Sequence, residues 1–498
     1  MSFFSTRGGA CVTASQAILY GLAKDGGLYV PAMFPPISQD QITALGPMTY
    51  VQRACHVLKA FLEDYSSAEI NQAVAAAYGE NKFDDPKVAP VKALDKNTYV
   101  LELFHGPTLA FKDMALQLLP HLITLAARKN GEDREISILV ATSGDTGKAA
   151  LEGFKDVPGT SCTVFYPKDG VSRVQELQMT TTEGSNTHVI SAEGNFDDAQ
   201  TGVKKLFSDP GFESEMACLR KVLSSANSIN FGRLVPQIVY YFSAYADLLQ
   251  SGRLALGDPV HFVVPTGNFG NILAAYYAHN MGLPIGKLLC ASNRNNVLTD
   301  FLDKGIYSTH RVFFKTMSPS MDILISSNLE RLLFEAADRD GELVSVWMKQ
   351  LKESGSYSIG DQRLNWLKRL LEGGYADDVA TSKEIQRVWE RYQYLMDPHT
   401  AVASHVLKQY RDRTGDDTPA VVVSTASPYK FTGDVAAALM GEETAAAQDD
   451  FALAEKLSKL TGVPVPPQVL DLPSLPVRHT AACAKEEMAK AVLSAFSS

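Results

Sequence analysis

The sequence predicts an α/β protein with two open parallel-sheet domains, plus an N-terminal helical region and a helical insertion. Short apolar runs of strand length alternate with stretches whose apolar residues recur at helical spacing. Several of these runs lead into polar loops rich in Ser, Thr, Asn and Gly. With 498 residues, of which 45% are hydrophobic and 20% charged, the chain has enough apolar side chains for more than one core.

The N-terminal region, residues 1–95, is predicted to be mostly helical. Apolar residues follow a helical period in residues 50–65 and 68–78. Pro86 and Pro90 then interrupt the chain, as prolines do between structural elements.

Residues 96–215 are predicted to form a smaller α/β domain. Its strands and the helices between them alternate in the order expected for βαβ units and a parallel sheet. Strands are predicted at residues 136–141, 162–166 and 187–191, and helices at residues 146–155, 172–182 and 197–207.

Residues 216–440 are predicted to form a larger α/β domain around apolar strands at 261–264 and 420–423. A charged stretch with helical spacing, about residues 320–400, is interpreted as a helical insertion in this domain. The proline-rich tail, residues 441–498, is predicted to be a C-terminal extension on the surface.

Charge and cysteine usage exclude several classes of protein. A formal net charge of −10 argues against nucleic acid or an anionic membrane as the main partner. The six cysteines are scattered without a C-x-x-C pair, which argues against a disulfide framework, and the ten histidines show no metal-binding pattern. No signal-peptide pattern and no apolar stretch near 18 residues is visible. We therefore expect a cytoplasmic protein with no bound metal and a small-molecule partner.

Residues 104–113, F-H-G-P-T-L-A-F-K-D, place Lys112 in an apolar setting between Phe111 and Met114. Desolvation lowers the pKa of a lysine, and a neutral amine can attack a carbonyl group. Taken alone, however, this segment fits a solvated lysine near a helix start better.

The loop at residues 141–148, A-T-S-G-D-T-G-K, follows a predicted strand and opens a predicted helix. Backbone N–H groups and the helix dipole favour an anion at such a position. The loop matches neither the nucleotide P-loop pattern nor the G-x-S-x-G pattern of hydrolases. An anion site and a plain strand-to-helix turn are equally compatible with it.

Two further polar loops follow strands. In residues 264–272, V-P-T-G-N-F-G-N-I, Gly267 and Gly270 would let the backbone turn tightly and approach a phosphate, although the third glycine of the dinucleotide fingerprint is lacking. Residues 423–431 offer hydroxyls that can bond a heterocycle nitrogen. Taken alone, however, these residues fit a simple Ser/Thr turn ended by Pro428 better.

The occurrence of all these segments in one chain favours the ligand-binding interpretation of each over the purely structural one. Ligands of open α/β sheets bind beyond the carboxyl ends of the strands, where all three loops lie. An anion loop, a glycine loop, a hydroxyl and an apolar-flanked lysine together point to a phosphorylated carbonyl cofactor.

The ordered set of motifs resembles threonine synthases, in the long form found in bacteria and fungi, within the tryptophan-synthase-β-like (fold type II) family of pyridoxal-phosphate enzymes. The resemblance covers nearly the whole chain. It rests on residues 5–8 (S-T-R-G), 16–19 (Q-A-I-L), 25–31 (D-G-G-L-Y-V-P), 104–113, 143–147 (S-G-D-T-G), 227–233 (N-S-I-N-F-G-R), 267–271 (G-N-F-G-N), 397–401 (D-P-H-T-A) and 424–431 (S-T-A-S-P-Y-K-F).

The resemblance implies a pyridoxal 5′-phosphate site in the cleft between the two domains. Lys112 would carry the cofactor through a Schiff base and then transfer protons, and Thr425 would face the pyridine nitrogen. The cofactor phosphate would be held by Gly267, Asn268, Phe269, Gly270 and Asn271. The substrate would be bound by Ser143, Gly144, Asp145, Thr146, Asn227, Ser228 and Arg233. No role is implied for Asp397, Pro398, His399 and Thr400, and a contact of Asp145 with the cofactor is not transferred, because the wider fold often has Asn there.

The implied reaction converts O-phospho-L-homoserine and water into L-threonine and phosphate, as a lyase in threonine biosynthesis. One alternative is a threonine-synthase-like phospho-lyase that releases 2-oxobutyrate. Another is a binding protein without activity, which the presence of Lys112 and all its loops argues against. A monomer or a homodimer is expected.

Overall fold

The computed structural model describes residues 1–142, 144–168 and 170–496. Its first part is helical, with a small antiparallel sheet in the order β2-β1-β3. Helices α3 and α4 confirm the prediction; each begins at a capping box in which a Ser or Thr side chain and a Gln or Glu three residues later bond each other's backbone. The elements are β1 (Ser2–Ser5), β2 (Val12–Thr13), α1 (Ala14–Tyr20), β3 (Tyr29–Pro31), α2 (Gln39–Ala44), α3 (Tyr50–Phe61) and α4 (Ser67–Tyr78).

The next segment carries Lys112, which immediately precedes a short helix. That helix is fully buried, and the helix after it buries one face against the rest of the core. The elements are β4 (Val91–Ala93), β5 (Thr98–Glu102), α5 (Asp113–Leu116) and α6 (Leu119–Lys129).

A run of alternating strands and helices follows, as the sequence predicts. All five predicted elements from residue 146 to residue 207 are present, with ends that differ by a few residues. The elements are β6 (Glu135–Ala141), α7 (Asp145–Phe154), β7 (Thr160–Pro167), α8 (Arg173–Thr180), β8 (Thr187–Ala192), α9 (Phe196–Ser208), α10 (Pro210–Cys218) and β9 (Lys221–Ser224).

The longest part of the chain begins with α11, a helix buried along most of its length that packs on α3, α5 and α12. The elements up to the insertion are α11 (Phe231–Gln250), β10 (Val260–Pro265), α12 (Gly270–Asn280), β11 (Ile285–Ser292), α13 (Val297–Lys304), β12 (Ile306–Ser308) and a 3₁₀ helix (Pro319–Met321). Those that follow are α14 (Leu329–Ala336), α15 (Gly341–Ser354), β13 (Ser356–Ser358), α16 (Gly360–Lys368), β14 (Leu371–Tyr375), α17 (Asp378–Tyr392), α18 (Pro398–Thr414), β15 (Ala420–Ser424) and a 3₁₀ helix (Pro428–Phe431).

The tail is part of the fold. Cys483, Met488 and Val492 are buried against β6, β7 and β8 rather than lying on the surface. The elements are α19 (Thr432–Met440), α20 (Glu442–Ala446), α21 (Asp450–Thr461), α22 (Pro467–Leu470), a 3₁₀ helix (Leu472–Ser474), β16 (Ala481–Cys483), a 3₁₀ helix (Lys485–Glu487) and α23 (Met488–Ala495).

Two open sheets organise the molecule and confirm the predicted α/β class. The five-stranded sheet has the order β16-β8-β7-β6-β9 and is parallel throughout. The six-stranded sheet has the order β14-β11-β10-β15-β5-β4, and its strands are parallel except for the pair β4–β5. Across the described residues, no helix combines the length and apolar character that a membrane span requires.

The division into domains at residues 95, 215 and 440 stays a prediction, but strand pairing crosses all three positions. Strand β4 pairs with β5 across residue 95, β9 pairs with β6 across residue 215, and β16 pairs with β8 across residue 440. The region predicted as a purely helical insertion also contains β14, whose sequence L-E-G-G-Y has no alternating apolar pattern. Edge strands of this kind depend on the neighbour that they pair with, which the local sequence does not reveal.

Candidate active site

Lys112 lies in the buried centre of the molecule, where the loop after β15 holds its segment. The backbone N–H of Phe111 donates to the carbonyl of Thr425 at 2.8 Å. The Nζ atom of Lys112 lies 3.3 Å from Ser320 Oγ and 3.5 Å from Asp145 Oδ2. Burial lowers the pKa of Lys112, and the attraction of Asp145 offsets this in part. The predicted desolvated lysine is therefore present.

Asp145, the first residue of α7, is a buried carboxylate between two lysines. Its Oδ1 lies 3.1 Å from the Nζ of Lys430, and its Oδ2 faces Lys112. Burial by itself raises the pKa of Asp145, but the two ammonium groups outweigh burial and hold the pKa well below its usual range. Asp145 is thus an ionised group in a buried ion-pair cluster.

Lys430 is completely buried in the 3₁₀ helix that follows β15. Besides Asp145, it donates to the carbonyl of Thr108 at 2.8 Å and to Gln178 Oε1 at 3.1 Å. Thr108 donates through its backbone and its hydroxyl to Asp113, whose pKa burial raises to about 6. The residues on both sides of Lys112 are thereby tied to Lys430.

The predicted anion loop closes around Thr142, whose hydroxyl oxygen accepts from the backbone N–H of Gly144 and of Gly147, both at 3.0 Å. Gly144 has φ +139°, and a Cβ there would lie 2.3 Å from the Nε2 of Gln175. Glycine is therefore required at this position. The predicted site residue Ser143 lies outside the described residues, and Thr146 is half-buried at the start of α7.

The glycine loop joins β10 to α12 and is held from one side by the segment before α14. Ser326 Oγ donates to the carbonyl of Gly267 at 2.7 Å. The backbone and side-chain N–H groups of Asn328 donate to the carbonyl of Asn268 at 3.1 and 3.0 Å. Phe269 takes a left-handed conformation, with φ 62°, and α12 starts at Gly270. The N-terminus of α12 therefore lies at the loop, where its free backbone N–H groups and the helix dipole favour an anion.

Asn271 ends the glycine loop. Its Oδ1 accepts from the hydroxyls of Tyr240 and Tyr241 at 2.5 and 2.6 Å. Its Nδ2 is buried and has no hydrogen-bond partner among the described residues. A buried donor without a partner is costly, so this amide is available to an acceptor on a ligand.

Arg233 lies buried in the first turn of α11. One terminal nitrogen donates to the carbonyl of Ala226 at 2.6 Å. In the part of the chain that the structure describes, its Nε has no partner and its guanidinium forms no ion pair. Burial lowers its pKa to about 10. The other two predicted residues of this segment, Asn227 and Ser228, lie in the turn before α11, exposed and half-buried respectively.

Ser320 and His399 were not predicted to belong to the site. The backbone N–H of Ser320 donates to His399 Nε2 at 3.2 Å, and His399 Nδ1 bonds Asp397 Oδ1 at 2.8 Å. The motif D-P-H-T-A marked this place without indicating a role. No sequence signal marked Ser320, which lies in a stretch with no strand–loop–helix pattern.

These residues fit a phosphorylated carbonyl cofactor. A lysine with a lowered pKa faces a carboxylate and a hydroxyl. A Cβ at Gly267 would lie only 2.6 Å from the carbonyl oxygen of Ser320. Because the Ser320 hydroxyl contacts Lys112, the glycine loop lies near the lysine. The unpartnered Arg233 Nε and Asn271 Nδ2 supply donors for an anion. Among the described residues, no group of His, Cys, Asp and Glu is placed to hold a metal ion.

Comparison with protein-family models identifies the broad family to which the chain belongs. The family model "Pyridoxal-phosphate dependent enzyme" matches residues 87–426. "Threonine synthase N terminus" matches residues 2–78, and "Threonine synthase, C-terminal" matches residues 400–481. By the first of these matches, which covers more than half of the chain, the protein belongs to the family of pyridoxal-phosphate-dependent enzymes.

Individual relatives narrow the class. A threonine synthase of Pseudomonas aeruginosa is 40% identical over 469 residues, which are 93% of this chain and 96% of that protein. The structure of PLP-bound threonine synthase from Brucella melitensis superposes with a TM-score of 0.88 at 39% identity and covers 100% of both chains. Yeast threonine synthase gives a TM-score of 0.89 at 32% identity, with 100% of this chain and 99% of that chain covered. This chain belongs to the threonine synthase family.

A second kind of relative is longer. "Threonine synthase-like 1" of Homo sapiens is 42% identical over 439 residues, which are 86% of this chain but 58% of that protein. The chain therefore spans less than two thirds of the length of these relatives.

Proposed function

We propose that this chain is a pyridoxal-phosphate-dependent carbon–oxygen lyase that converts O-phospho-L-homoserine and water into L-threonine and phosphate. The observation that carries the proposal is a buried lysine with a lowered pKa within electrostatic reach of a buried arginine that forms no ion pair among the described residues. The lysine suits proton transfer, and the guanidinium suits a doubly charged phosphate ester.

When bound, the cofactor would supply an electron sink that acidifies the Cα–H of the substrate and, after the first proton transfer, its Cβ–H. Lys112 would hold the cofactor and move protons between the substrate carbons, and burial, which lowers its pKa, favours the neutral amine that accepts a proton. Asp145 and Ser320 orient its Nζ atom, and the buried setting excludes bulk water.

The remaining cofactor contacts are proposed for residues 267–271, at the cofactor phosphate, and for Thr425, at the pyridine nitrogen. Thr425 is buried directly after β15, which suits a contact beyond the carboxyl end of a strand. Its neutral hydroxyl, unlike a carboxylate, would leave the pyridine nitrogen largely unprotonated.

Substrate contacts are proposed for Gly144, Asp145 and Thr146 at the start of α7, and for Asn227, Ser228 and Arg233. Because the carboxylate of Asp145 is ionised and paired with two lysines, its contact with an anionic substrate would come from its backbone N–H. The role of Ser143 stays a prediction, as do the cytoplasmic location and the monomeric or homodimeric state.

A product assay tests the proposal. Purified protein, supplied with pyridoxal phosphate and O-phosphohomoserine, should release threonine and phosphate in equal amounts, and a Lys112→Ala variant should release neither. Release of 2-oxobutyrate with phosphate would instead support the alternative phospho-lyase. If neither organic product forms, the proposal is wrong.

A further inference from the structure

A buried polar network surrounds Asp397, the N-cap of α18. Its Oδ1 accepts from the backbone N–H of His399 at 2.9 Å and from Nδ1 of the same residue at 2.8 Å. Its Oδ2 accepts from the backbone N–H of Thr400 at 3.3 Å and from the Thr400 hydroxyl. A helix cap needs only the backbone bonds. The bond to the imidazole ring is additional, and it fixes the ring.

His399 connects this network to Ser320. With Nδ1–H donated to the carboxylate, Nε2 is left as an acceptor, and it receives the backbone N–H of Ser320 at 3.2 Å. His399 is buried, with 2% of its surface exposed. Through this bond the imidazole holds the backbone of the 3₁₀ helix Pro319–Met321.

The same 3₁₀ helix is anchored at its other end by Asp322. The Oδ1 of Asp322 accepts from Asn293 at 2.8 Å, from Asn295 at 2.9 Å and from Thr316 at 2.8 Å. With both ends held, the turn has a defined position without any contribution from Lys112.

The hydroxyl of Ser320 lies between two charged groups of the site. It is 3.3 Å from Lys112 Nζ and 3.5 Å from Asp145 Oδ2. A hydroxyl that donates to a carboxylate keeps its lone pairs free to accept from an ammonium group. Ser320 thus extends a chain of hydrogen bonds from Lys112 to Asp145.

We propose that Asp397 and His399 are positioning residues that hold Ser320 against the amine of Lys112, and that the Ser320 hydroxyl controls how readily that amine reacts with the cofactor carbonyl. This inference rests on the proposed function only in taking Lys112 as the cofactor lysine. The charged groups that face Lys112 are Asp145 from α7, Lys430 from the second 3₁₀ helix and Arg233 from α11.

Three variants separate positioning from structural support. Ser320→Ala removes the hydroxyl but keeps the backbone N–H that His399 accepts. His399→Asn can still donate to Asp397 but places no acceptor at the Nε2 position. His399→Gln can place its amide oxygen at that position and so keep the bond to Ser320. The last two form a matched pair, because each replaces the ring with a neutral amide.

The measurement is cofactor capture by the full-length chain after its cofactor has been removed. Pyridoxal phosphate is added at a series of pH values, and the rate at which the visible absorption of the bound cofactor appears is recorded. Loss of one hydrogen bond to the ammonium form of Lys112 should move the midpoint of the pH profile by about one unit toward acid. Ser320→Ala and His399→Asn should show this shift, while His399→Gln should follow the unmodified protein.

If the pH profile of cofactor capture by Ser320→Ala coincides with that of the unmodified protein, the proposed role of the hydroxyl in the reactivity of Lys112 is wrong, regardless of the results for the His399 variants. Equal shifts for His399→Asn and His399→Gln would show a merely structural histidine and overturn the positioning role. If His399→Asn fails to fold, Ser320→Ala still decides the role of the hydroxyl, and a shifted profile for His399→Gln, which keeps the bond to Ser320, would overturn the positioning role. Since the assay contains no substrate, it can be read even if the protein forms no threonine.

Discussion

The two sides of the candidate site differ in whether their buried polar and charged groups have partners within the protein. On one side, called here the paired side, Asp145 forms ion pairs with Lys112 and Lys430, and Lys430 makes two further hydrogen bonds. On the other, called here the open side, the Nε of Arg233 and the Nδ2 of Asn271 are buried without partners among the described residues. Both sides lie in the same buried centre, so burial does not explain the difference.

We attribute this difference to different roles of the two sides. Buried polar groups without partners are costly and persist where a ligand or water satisfies them. The open side therefore suits an anionic ligand. On the paired side the charges are already balanced by the protein, and they adjust the pKa of Lys112, which burial lowers. The comparison predicts that changes on the open side alter binding and that changes on the paired side alter reactivity and stability.

Replacing Lys112, which belongs to the paired side, should have the largest effect. In Lys112→Ala, turnover of O-phosphohomoserine should fall to the level without protein, because no other amine occupies that position. The visible absorption of the bound cofactor should disappear after dialysis. A variant that stays yellow and active would remove Lys112 from the site.

Gly270→Asp tests the open side through the cofactor. Asp at the start of α12 suits the helix dipole, so the fold should persist, but its charge would face the cofactor phosphate. The Kd for pyridoxal phosphate should rise about 100-fold, since apposed like charges cost several kcal/mol. The matched control is Gly270→Ala, whose Cβ would meet its nearest atom at 3.6 Å and should fit. Equal affinities in a cofactor titration would contradict the assignment.

Arg233→Gln tests the open side through the substrate. Loss of a charge-assisted bond should lower kcat/KM for O-phosphohomoserine by about 10- to 100-fold while a slow deamination of serine or threonine stays nearly intact. The control is Arg331→Gln, a buried arginine whose three nitrogens donate to the carbonyl of Tyr29, to the side chain of Asn328 and to the carbonyl of Ile229. That variant should lower Tm and damage both reactions alike.

If Arg233→Gln behaves like Arg331→Gln, Arg233 ties structural elements together and is not a substrate contact. Parallel kinetic measurements of both reactions, with thermal unfolding of each variant, distinguish the two outcomes.

Lys430→Met tests the paired side and should have the smallest effect on activity. Removing this cation while Asp145 stays ionised should raise the pKa of Lys112, because a repulsion is lost and an attraction remains. The pH profile of cofactor capture should move about one unit toward alkaline values, opposite to the shift in Ser320→Ala. Stability should fall by about 3–5 kcal/mol, since Asp145 loses its nearest partner.

Lys155→Met is the control for that experiment. Lys155 pairs with Glu152 at 3.0 Å at the other end of α7, away from Lys112. Its removal should leave the capture profile unchanged. A profile for Lys430→Met that coincides with the control would show that the paired side does not set the reactivity of Lys112.

Much of the fold could be predicted because its central strands are locally distinctive. Strands β6, β7, β10 and β15 are largely apolar and buried on both faces. Such strands can be recognised in a sequence without knowledge of the strands that they pair with. Strands β14 and β16 were missed because they are short edge strands without an alternating pattern, and they form only where a neighbouring strand offers hydrogen bonds.

The same contrast holds in the site. The sequence by itself predicted the α/β class and the polar loops beyond the strands, because each is encoded within a few consecutive residues, and the combination of those loops pointed to Lys112 as the candidate cofactor lysine. Only the tertiary structure decided that Ser320 and His399 stand beside that lysine, that Lys430 pairs with Asp145, and that Arg233 is left without an ion-pair partner among the described residues. The physical reason is that a buried charge takes its pKa and its partners from groups that are distant in sequence, such as Ser320, 208 positions from Lys112.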